Sequence, residues 1–351
     1  MNINPISIAG RRIGPNEPPY IIAELSANHG GDLERAKRII RLAAKAGADA
    51  IKFQVYTPDN MTLACDMPGF TIEADNPWKG RRLHDLYAEA QTPYEWFPEL
   101  FQVAKDANIT PFASVFGLDA IEAMERLNAP AYKIASFEAV DHDLIAACAK
   151  TGKPLIISTG LCTNAEAAEA LQAARSGGGK QIALLKCNSS YPADPAETNL
   201  LAMVEMQNQL GVPCGYSDHT MGVAASTAAC ALGACIIEKH IIDARDPPTA
   251  DSTFSALPDE IADLVKSCRI AFYSRGITTL GPTPREKPSL VFRRSLYAIK
   301  DIKKGDSINT INIGAIRPGF GLPPKDISRV LGRTARREIK RGEPLQHDMF
   351  D

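Results

Sequence analysis

At 351 residues the chain is longer than one ordinary small domain and divides naturally into a unit of about 250 residues plus a remainder. Its 45% apolar and 23% charged content is ordinary for a globular protein with a real core. A formal net charge of −2 argues against a chain that works by coating nucleic acid or an anionic membrane.

Residues 1–14 contain no basic stretch followed by an apolar one, so no secretory signal is expected. The longest apolar runs are strand-sized, far short of the ~20 residues of a membrane helix. None of the eight cysteines forms a C-x-x-C pair, and Cys148, Cys187, Cys230 and Cys235 lie inside apolar runs, where a free thiol acts as a small core residue. The expected compartment is the cytoplasm.

In chain order, β-rich runs fall at residues 20–25, 50–55, 110–116, 131–136, 154–159, 182–187, 213–219 and 235–241. Several are near-continuous apolar stretches, as expected of parallel strands buried on both faces. Helical spacing separates them, notably at 32–46, 94–107, 141–150, 164–175 and 258–274. Eight such units predict a closed (β/α)₈ barrel; an open doubly wound sheet is the alternative, but no G-x-G-x-x-G follows the first strand.

Two segments break the repeat. Residues 57–91, with Trp78, Arg81 and Tyr87, form a long insertion after the second strand, where loops of this length serve as lids or specificity elements. After the last barrel helix, residues 281–292 read as a linker, and 293–351 as a small module of short strands and Gly/Pro turns. The expected domains are therefore 1–280, the linker, and 293–351.

Polar residues gather toward the C-terminal ends of the predicted strands: Glu24, Lys52, Gln54, Ser114, Lys133, Ser136, Ser158, Thr159, Lys186, Ser189, Ser217, Asp218, His219, Glu238, Lys239 and His240. In a (β/α)₈ barrel those ends line one mouth, where active sites sit. One lysine in an apolar strand is often just turned outward or paired, but several cations and hydroxyls on one rim point to an anion site. Lys52 and Lys133 with Ser114, Ser136, Ser158 and Ser217 suit phosphate and carboxylate oxygens. His219 and His240 end adjacent strands and can hold a divalent metal, leaving open positions for water and substrate.

A set of motifs recurs in order: Ala23-Glu24-Leu25-Ser26-Ala27-Asn28-His29, Lys52-Phe53-Gln54, Tyr132-Lys133-Ile134-Ala135-Ser136, Ser158-Thr159-Gly160, Tyr191-Pro192, Ser217-Asp218-His219-Thr220 and Ile237-Glu238-Lys239-His240. Together they resemble the sialic acid synthase family, which condenses phosphoenolpyruvate with an amino sugar to make a nine-carbon keto acid. The resemblance spans essentially the whole chain. At the C-terminus, Asp301-Ile302-Lys303-Lys304-Gly305 and Ile316-Arg317-Pro318-Gly319 resemble that family's antifreeze-protein-like (SAF) domain. The insertion, through Trp78-Lys79-Gly80-Arg81-Arg82-Leu83 and Thr92-Pro93-Tyr94-Glu95-Trp96, is most similar to the pseudaminic acid synthase branch.

The resemblance implies a set of roles. Lys52, Ser114, Lys133, Ser136, Ser158, Ser189 and Ser217 would bind phosphoenolpyruvate, and Glu24, Lys52, Lys133 and Glu138 would serve catalysis. Gln54, Tyr191, Asp251 and Arg317 would contact the sugar, a 2,4-diacetamido-2,4,6-trideoxy-altrose. His219 and His240 would hold the metal, Mn²⁺ first, with Mg²⁺ or Co²⁺ as alternatives. A domain-swapped homodimer, with Arg317 acting in trans, is implied as well. Two positions depart from the family pattern: Val115 stands where proline is usual, and a Gly-Gly-Pro-Asp stretch becomes Pro248-Thr249-Ala250-Asp251. Other readings stay open: a synthase for N-acetylneuraminate or legionaminate, a Schiff-base aldolase, and a non-catalytic carbohydrate-binding homologue.

Overall fold

The structure, a computed structural model, describes residues 3–351 and separates into two compact units, residues 3–276 and 277–351. In the first, a short antiparallel hairpin, β1 (Ile6–Ile8) and β2 (Arg11–Ile13), precedes eight parallel strands. These are β3 (Tyr20–Glu24), β4 (Ala50–Val55), β5 (Thr110–Val115), β6 (Tyr132–Ile134), β7 (Leu155–Ser158), β8 (Ile182–Cys187), β9 (Cys214–Asp218) and β10 (Ile236–His240). They close into a barrel in chain order, with β10 pairing back onto β3. The closed barrel, not the open sheet, is the architecture.

Ten helices belong to this unit: α1 (Leu33–Ala46), α2 (Pro58–Met61), α3 (Leu83–Ala90), α4 (Phe97–Asp106), α5 (Leu118–Arg126), α6 (His142–Lys150), α7 (Asn164–Ser176), α8 (Leu200–Leu210), α9 (Ala224–Ala231) and α10 (Pro258–Ser274). Their ends follow local chemistry. Asp32 caps α1 by accepting from the amides of Glu34 and Arg35, and Gly47 ends it at φ 87°, a conformation that costs glycine no Cβ clash. Thr163 and Glu166 form a capping box on α7. The 57–91 insertion is ordered as α2, a hairpin-like loop bridged at Thr71 and Arg82, and α3.

Strand parity sorts the core into layers. Tyr20, Ile22, Ala50, Phe112, Ala131, Ile156, Ala183, Leu185 and Ile236 pack inside the barrel with Ile6, Ile8 and Ile13 of the hairpin, which plugs its N-terminal end. Residues of the opposite parity, such as Ile21, Ile51, Phe53, Ala113, Ile157 and Ile237, pack against the helices. Two steps along the inward parity from the apolar layer come Glu24, Lys52, Ser114, Lys133, Ser158, Ser217 and Glu238. The polar mouth is thus the next inward layer of the same strands.

Parity also corrects the sequence reading. Asp218 and Lys239, grouped above with the mouth, have outward parity. The Asp218 carboxylate accepts from Lys239 Nζ at 2.9 Å, from the Thr220 amide at 2.8 Å and from Ser226 Oγ on α9 at 2.6 Å. Both residues are buried, so this ion pair fastens strand to helix rather than lining the site.

The second unit is built on β11 (Ser295–Ala298) and β12 (Ile313–Ile316), antiparallel, with bridges Ile302–Ile339, Ser307–Thr334 and Ala335–Phe350 and the short helix α11 (Ile327–Val330). Leu296, Ile302, Ile308, Ile313, Ile339 and Leu345 form its core. Within the segment read as linker, a 3₁₀ helix covers Lys287–Phe292, and Gly319 donates its amide to the Val291 carbonyl at 2.9 Å. Among the described residues no helix is long and apolar enough to cross a membrane.

Asp218→Ala leaves the Lys239 ammonium buried and unpaired, at a cost of about 3–5 kcal/mol, which should lower the melting temperature by roughly 6 °C or more. Adding Lys239→Met should recover part of that loss. A single variant melting within about 2 °C of wild type would show that the pair is not a fastening element.

Candidate active site

Four ionisable side chains meet toward the ends of β3, β4, β6 and β10. Strand pairing sets Glu24 beside Lys52, Gln54 beside Ser114, Ser114 beside Lys133, and Glu238 beside Ser217. Lys52 forms an ion pair with Glu24 and donates to Ser114 Oγ at 2.7 Å. Glu238 Oε1 lies 3.7 Å from Lys52 Nζ and 3.8 Å from Lys133 Nζ, and accepts from Ser217 Oγ at 3.2 Å. Lys133 also donates to the Ile134 carbonyl at 3.1 Å. The two lysines are therefore not free point charges: each faces carboxylate, and the cluster is close to neutral.

Burial decides how these groups titrate. It pushes the Glu24 carboxyl up to about 7, although Lys52 opposes the rise. It pulls the Lys133 ammonium below the ordinary lysine range, with Glu238 opposing. For Lys52 burial is outweighed by Glu238 and Glu24, and its pKa rises; for Glu238 it is outweighed by Lys133 and Lys52, and its pKa falls. Burial, aided by Asp141, pushes Glu138 on the turn after β6 up to about 7, although a backbone hydrogen bond and Lys133 oppose the rise.

Hydroxyls flank this cluster. The Gly160 amide donates to Ser136 Oγ at 3.2 Å. A Cβ at Gly160 would stand 2.6 Å from Ser136 Oγ and 2.3 Å from Ser189 Oγ, so only glycine lets both hydroxyls converge there. A cleft of about 470 Å³ opens beside them, lined by Lys186, Cys187, Asn188 and Ser189 among others. Buried polar atoms without a protein partner include Glu24 Oε1, Glu138 Oε2, Ser158 Oγ, Ser189 Oγ, Glu238 Oε2 and His240 Nδ1. So many orphans in one mouth mark a place where a polar ligand supplies the missing bonds.

His219 and His240 face each other with ring centroids 5.4 Å apart. His219 Nδ1 lies 2.8 Å from the Asn188 carbonyl; donating there makes Nδ1 the protonated nitrogen and leaves the Nε2 lone pair free. Burial holds His240 well below the ordinary imidazole range, neutral and able to ligate. For His219 burial is overcome by the Cys187 thiolate and the Asn188 carbonyl, which raise its pKa; the same pairing draws the buried Cys187 thiol down to about 7. Asp251 Oδ2 lies 3.6 Å from His240 Nδ1, and burial raises its pKa. Among the described residues no group of three or more His, Cys, Asp or Glu forms a ready metal cage. Two imidazoles with an adjacent carboxylate fit an open site completed by water or substrate.

Tyr191 packs against His219 with ring centroids 4.4 Å apart, joining the sugar-side candidates Gln54 and Asp251 at this mouth. Arg317 belongs to the second unit, where its side chain is exposed. The loop that lost two glycines is anchored instead by side chains. Thr249 Oγ1 donates to Asn28 Oδ1 at 2.6 Å, Asn28 Nδ2 donates to the Ile241 carbonyl at 2.9 Å, and Ser255 Oγ donates to the Asp251 carbonyl at 2.7 Å. Sequence reasoning placed Glu238 on the rim without a role; its parity with Ser217 was the available signal. It missed Cys187, Asn188 and Phe254, which carry no motif of their own.

Residues 39–279 match the NeuB family and residues 293–351 the SAF domain. The chain is 41% identical over 331 residues to the pseudaminic acid synthase of Campylobacter jejuni, covering 94% of this chain and 96% of that one. It is 41% identical to the Helicobacter pylori pseudaminic acid synthase, covering 95% and 98%. The crystal structure of the N-acetylneuraminic acid synthetase from Leptospira borgpetersenii superposes with a TM-score of 0.73 at 32% identity, over 82% of this chain and 95% of that one.

With pKa values near 7, Glu24 and Glu138 hold their protons at about pH 6 and lose them by about pH 8. Difference infrared spectra should show two buried carboxylic C=O bands vanishing over that interval, one missing in Glu24→Gln and the other in Glu138→Gln. Bands already absent at about pH 6 would show that burial does not dominate.

Proposed function

This chain belongs to the NeuB family, and we propose that it condenses phosphoenolpyruvate with 2,4-diacetamido-2,4,6-trideoxy-altrose and water, giving pseudaminic acid and phosphate. The observation that carries the reading is the single mouth where buried, partnerless polar atoms sit beside two facing imidazoles. Identity to the Campylobacter and Helicobacter enzymes over nearly the full chain supports the choice of sugar.

Phosphoenolpyruvate lies over Lys52 and Lys133, its oxygens taking donors from Ser114, Ser136, Ser158, Ser189 and Ser217. Its enol carbon attacks the open-chain aldehyde, forming the new C–C bond. Water then adds at the neighbouring carbon, and phosphate leaves with C–O cleavage. Glu24 and Glu138, poised near neutrality, hold and move the protons that the aldehyde oxygen gains and the attacking water loses. Gln54, Tyr191 and Asp251 orient the sugar. A divalent metal, Mn²⁺ first and Mg²⁺ or Co²⁺ as alternatives, would be held by His219 and His240 and would supply Lewis-acid polarisation of the aldehyde oxygen. Eight free cysteines, several of them buried, suit the reducing cytoplasm as the compartment.

Purified protein given phosphoenolpyruvate, Mn²⁺ and the diacetamido-trideoxy sugar should release phosphate. Chelation should abolish turnover and added Mn²⁺ restore it, with His219→Ala and His240→Ala each refractory to rescue. Turnover of N-acetylmannosamine but not of the trideoxy sugar would overturn the assignment, and full activity in chelated buffer would overturn the metal's role.

The same reading includes a domain-swapped homodimer in which Arg317 of one chain reaches the sugar at its partner's barrel. It is supported by an Arg317 side chain that is exposed and forms no ion pair among the described residues. Mixing inactive Arg317→Ala and Lys52→Ala proteins should then restore part of the activity through heterodimers carrying one intact site. Verified heterodimers without activity would refute the trans contact.

A further inference from the structure

The 57–91 insertion carries a tryptophan to the barrel mouth. Its loop is pinned by backbone bonds from the Ile72 amide to the Arg81 carbonyl at 2.9 Å, from Gly80 to Ile72 at 2.7 Å, and from Leu83 to Phe70 at 2.9 Å. At its turn sits Trp78, whose amide donates to Asn76 Oδ1 at 3.0 Å. The indole N–H donates to the Ala250 carbonyl at 2.9 Å, one residue before Asp251. The indole ring lies 5.4 Å from Tyr191 and 6.2 Å from Phe254, centroid to centroid. Tyr191 and Phe254 are 5.0 Å apart, and Phe254 is 5.0 Å from His240. One aromatic surface therefore runs from the insertion to the two imidazoles.

We propose that Trp78 is a specificity-determining residue: with Tyr191 and Phe254 it forms an apolar wall that selects acceptors ending in a methyl group over those ending in hydroxymethyl. The proposal rests on the reading above that the acceptor is an acetamido sugar whose aldehyde is held at the His219–His240 corner. With its aldehyde there, the far end of the sugar extends along the aromatic surface. The indole N–H is already spent on Ala250, so Trp78 offers that end only ring face and edge. A methyl group gains dispersion contacts against such a wall, whereas a hydroxymethyl oxygen would give up water without a replacement partner. The side-chain staple from Thr249 to Asn28 fixes the segment that Trp78 grips, which keeps the wall in place. Preferences of this kind in an apolar pocket reach about 100-fold.

The test uses acceptor pairs identical except at the terminal carbon, methyl or hydroxymethyl, in both the altro-diacetamido and the manno-acetamido series. Phosphate release is followed for wild type, Trp78→Phe and Trp78→Ala. Wild type should prefer the methyl member by about 100-fold in kcat/KM. Trp78→Ala should shrink that ratio at least about 10-fold, mainly through the acceptor KM, and Trp78→Phe should fall between. The KM for phosphoenolpyruvate should stay within about twofold in both variants, which a general loss of structure would not allow. An unchanged methyl-to-hydroxymethyl ratio in Trp78→Ala, in whichever series is accepted, overturns the proposal. A preference for the manno series overturns the assigned sugar instead, and leaves the ratio in that series to decide the role of Trp78.

Discussion

The barrel mouth depends on four buried ionisable groups that compensate one another. Glu24, Glu238, Lys52 and Lys133 are each at most 5% exposed. A carboxylate or ammonium that far from water is costly unless a counter-charge stands within a few ångströms. The observed register supplies those partners: strand pairing sets Glu24 against Lys52, and closure brings Glu238 to 3.7 Å from Lys52 and 3.8 Å from Lys133. A slip of one residue would exchange this inward set for the outward one and send charges into the helix layer. The same constraint shapes the site's chemistry. A cluster near neutrality does not attract anions as a bare pair of lysines would. An anion entering there would share the lysines with two carboxylates, one of which is already poised to give up its charge by protonation.

Periodicity made the barrel legible. Eight apolar runs with helical intervals became eight strands in chain order, and the polar residues at their ends became the mouth. What a list of strand-end residues does not contain is which face each occupies. Asp218 and Lys239 sit between Ser217 and His219 and between Glu238 and His240, and alternation turns them outward onto α9. The lysines read as free cations for the same reason. Glu24 stands on the strand next to Lys52, but Glu238 reaches the two lysines only through closure, which brings β10 back beside β3.

Loop contributions were harder to read because no period constrains them. Trp78 comes from the insertion and Thr249 and Phe254 from the loop after β10, and only the tertiary structure brings the two segments to the corner of the mouth formed by β9 and β10. Gly160 is intermediate: its place in Ser158-Thr159-Gly160 was visible, but its reason, room for two hydroxyls from β6 and β8 connections, was not. The loss of two glycines before Asp251 looked like a loss of backbone freedom. In the fold it is an exchange of freedom for side-chain anchorage, since Thr249 contributes a hydrogen bond to Asn28 that glycine cannot make.

The mouth thus divides by origin as well as by chemistry. Its half of lysines, carboxylates and hydroxyls is written into the strands, where register and charge neutrality allow little variation. Its aromatic and imidazole half draws on the 57–91 insertion and the loop after β10, which can change without disturbing the barrel's closure. A reaction common to a family needs the first half to stay constant, because every acceptor meets the same three-carbon donor. Choice among acceptors needs only the second half to vary. The indole of Trp78, held by a backbone carbonyl beside Asp251 and packed against Tyr191, stands where those two requirements meet: fixed enough to present one constant surface at the mouth, yet carried on a segment that the fold itself leaves free to diverge.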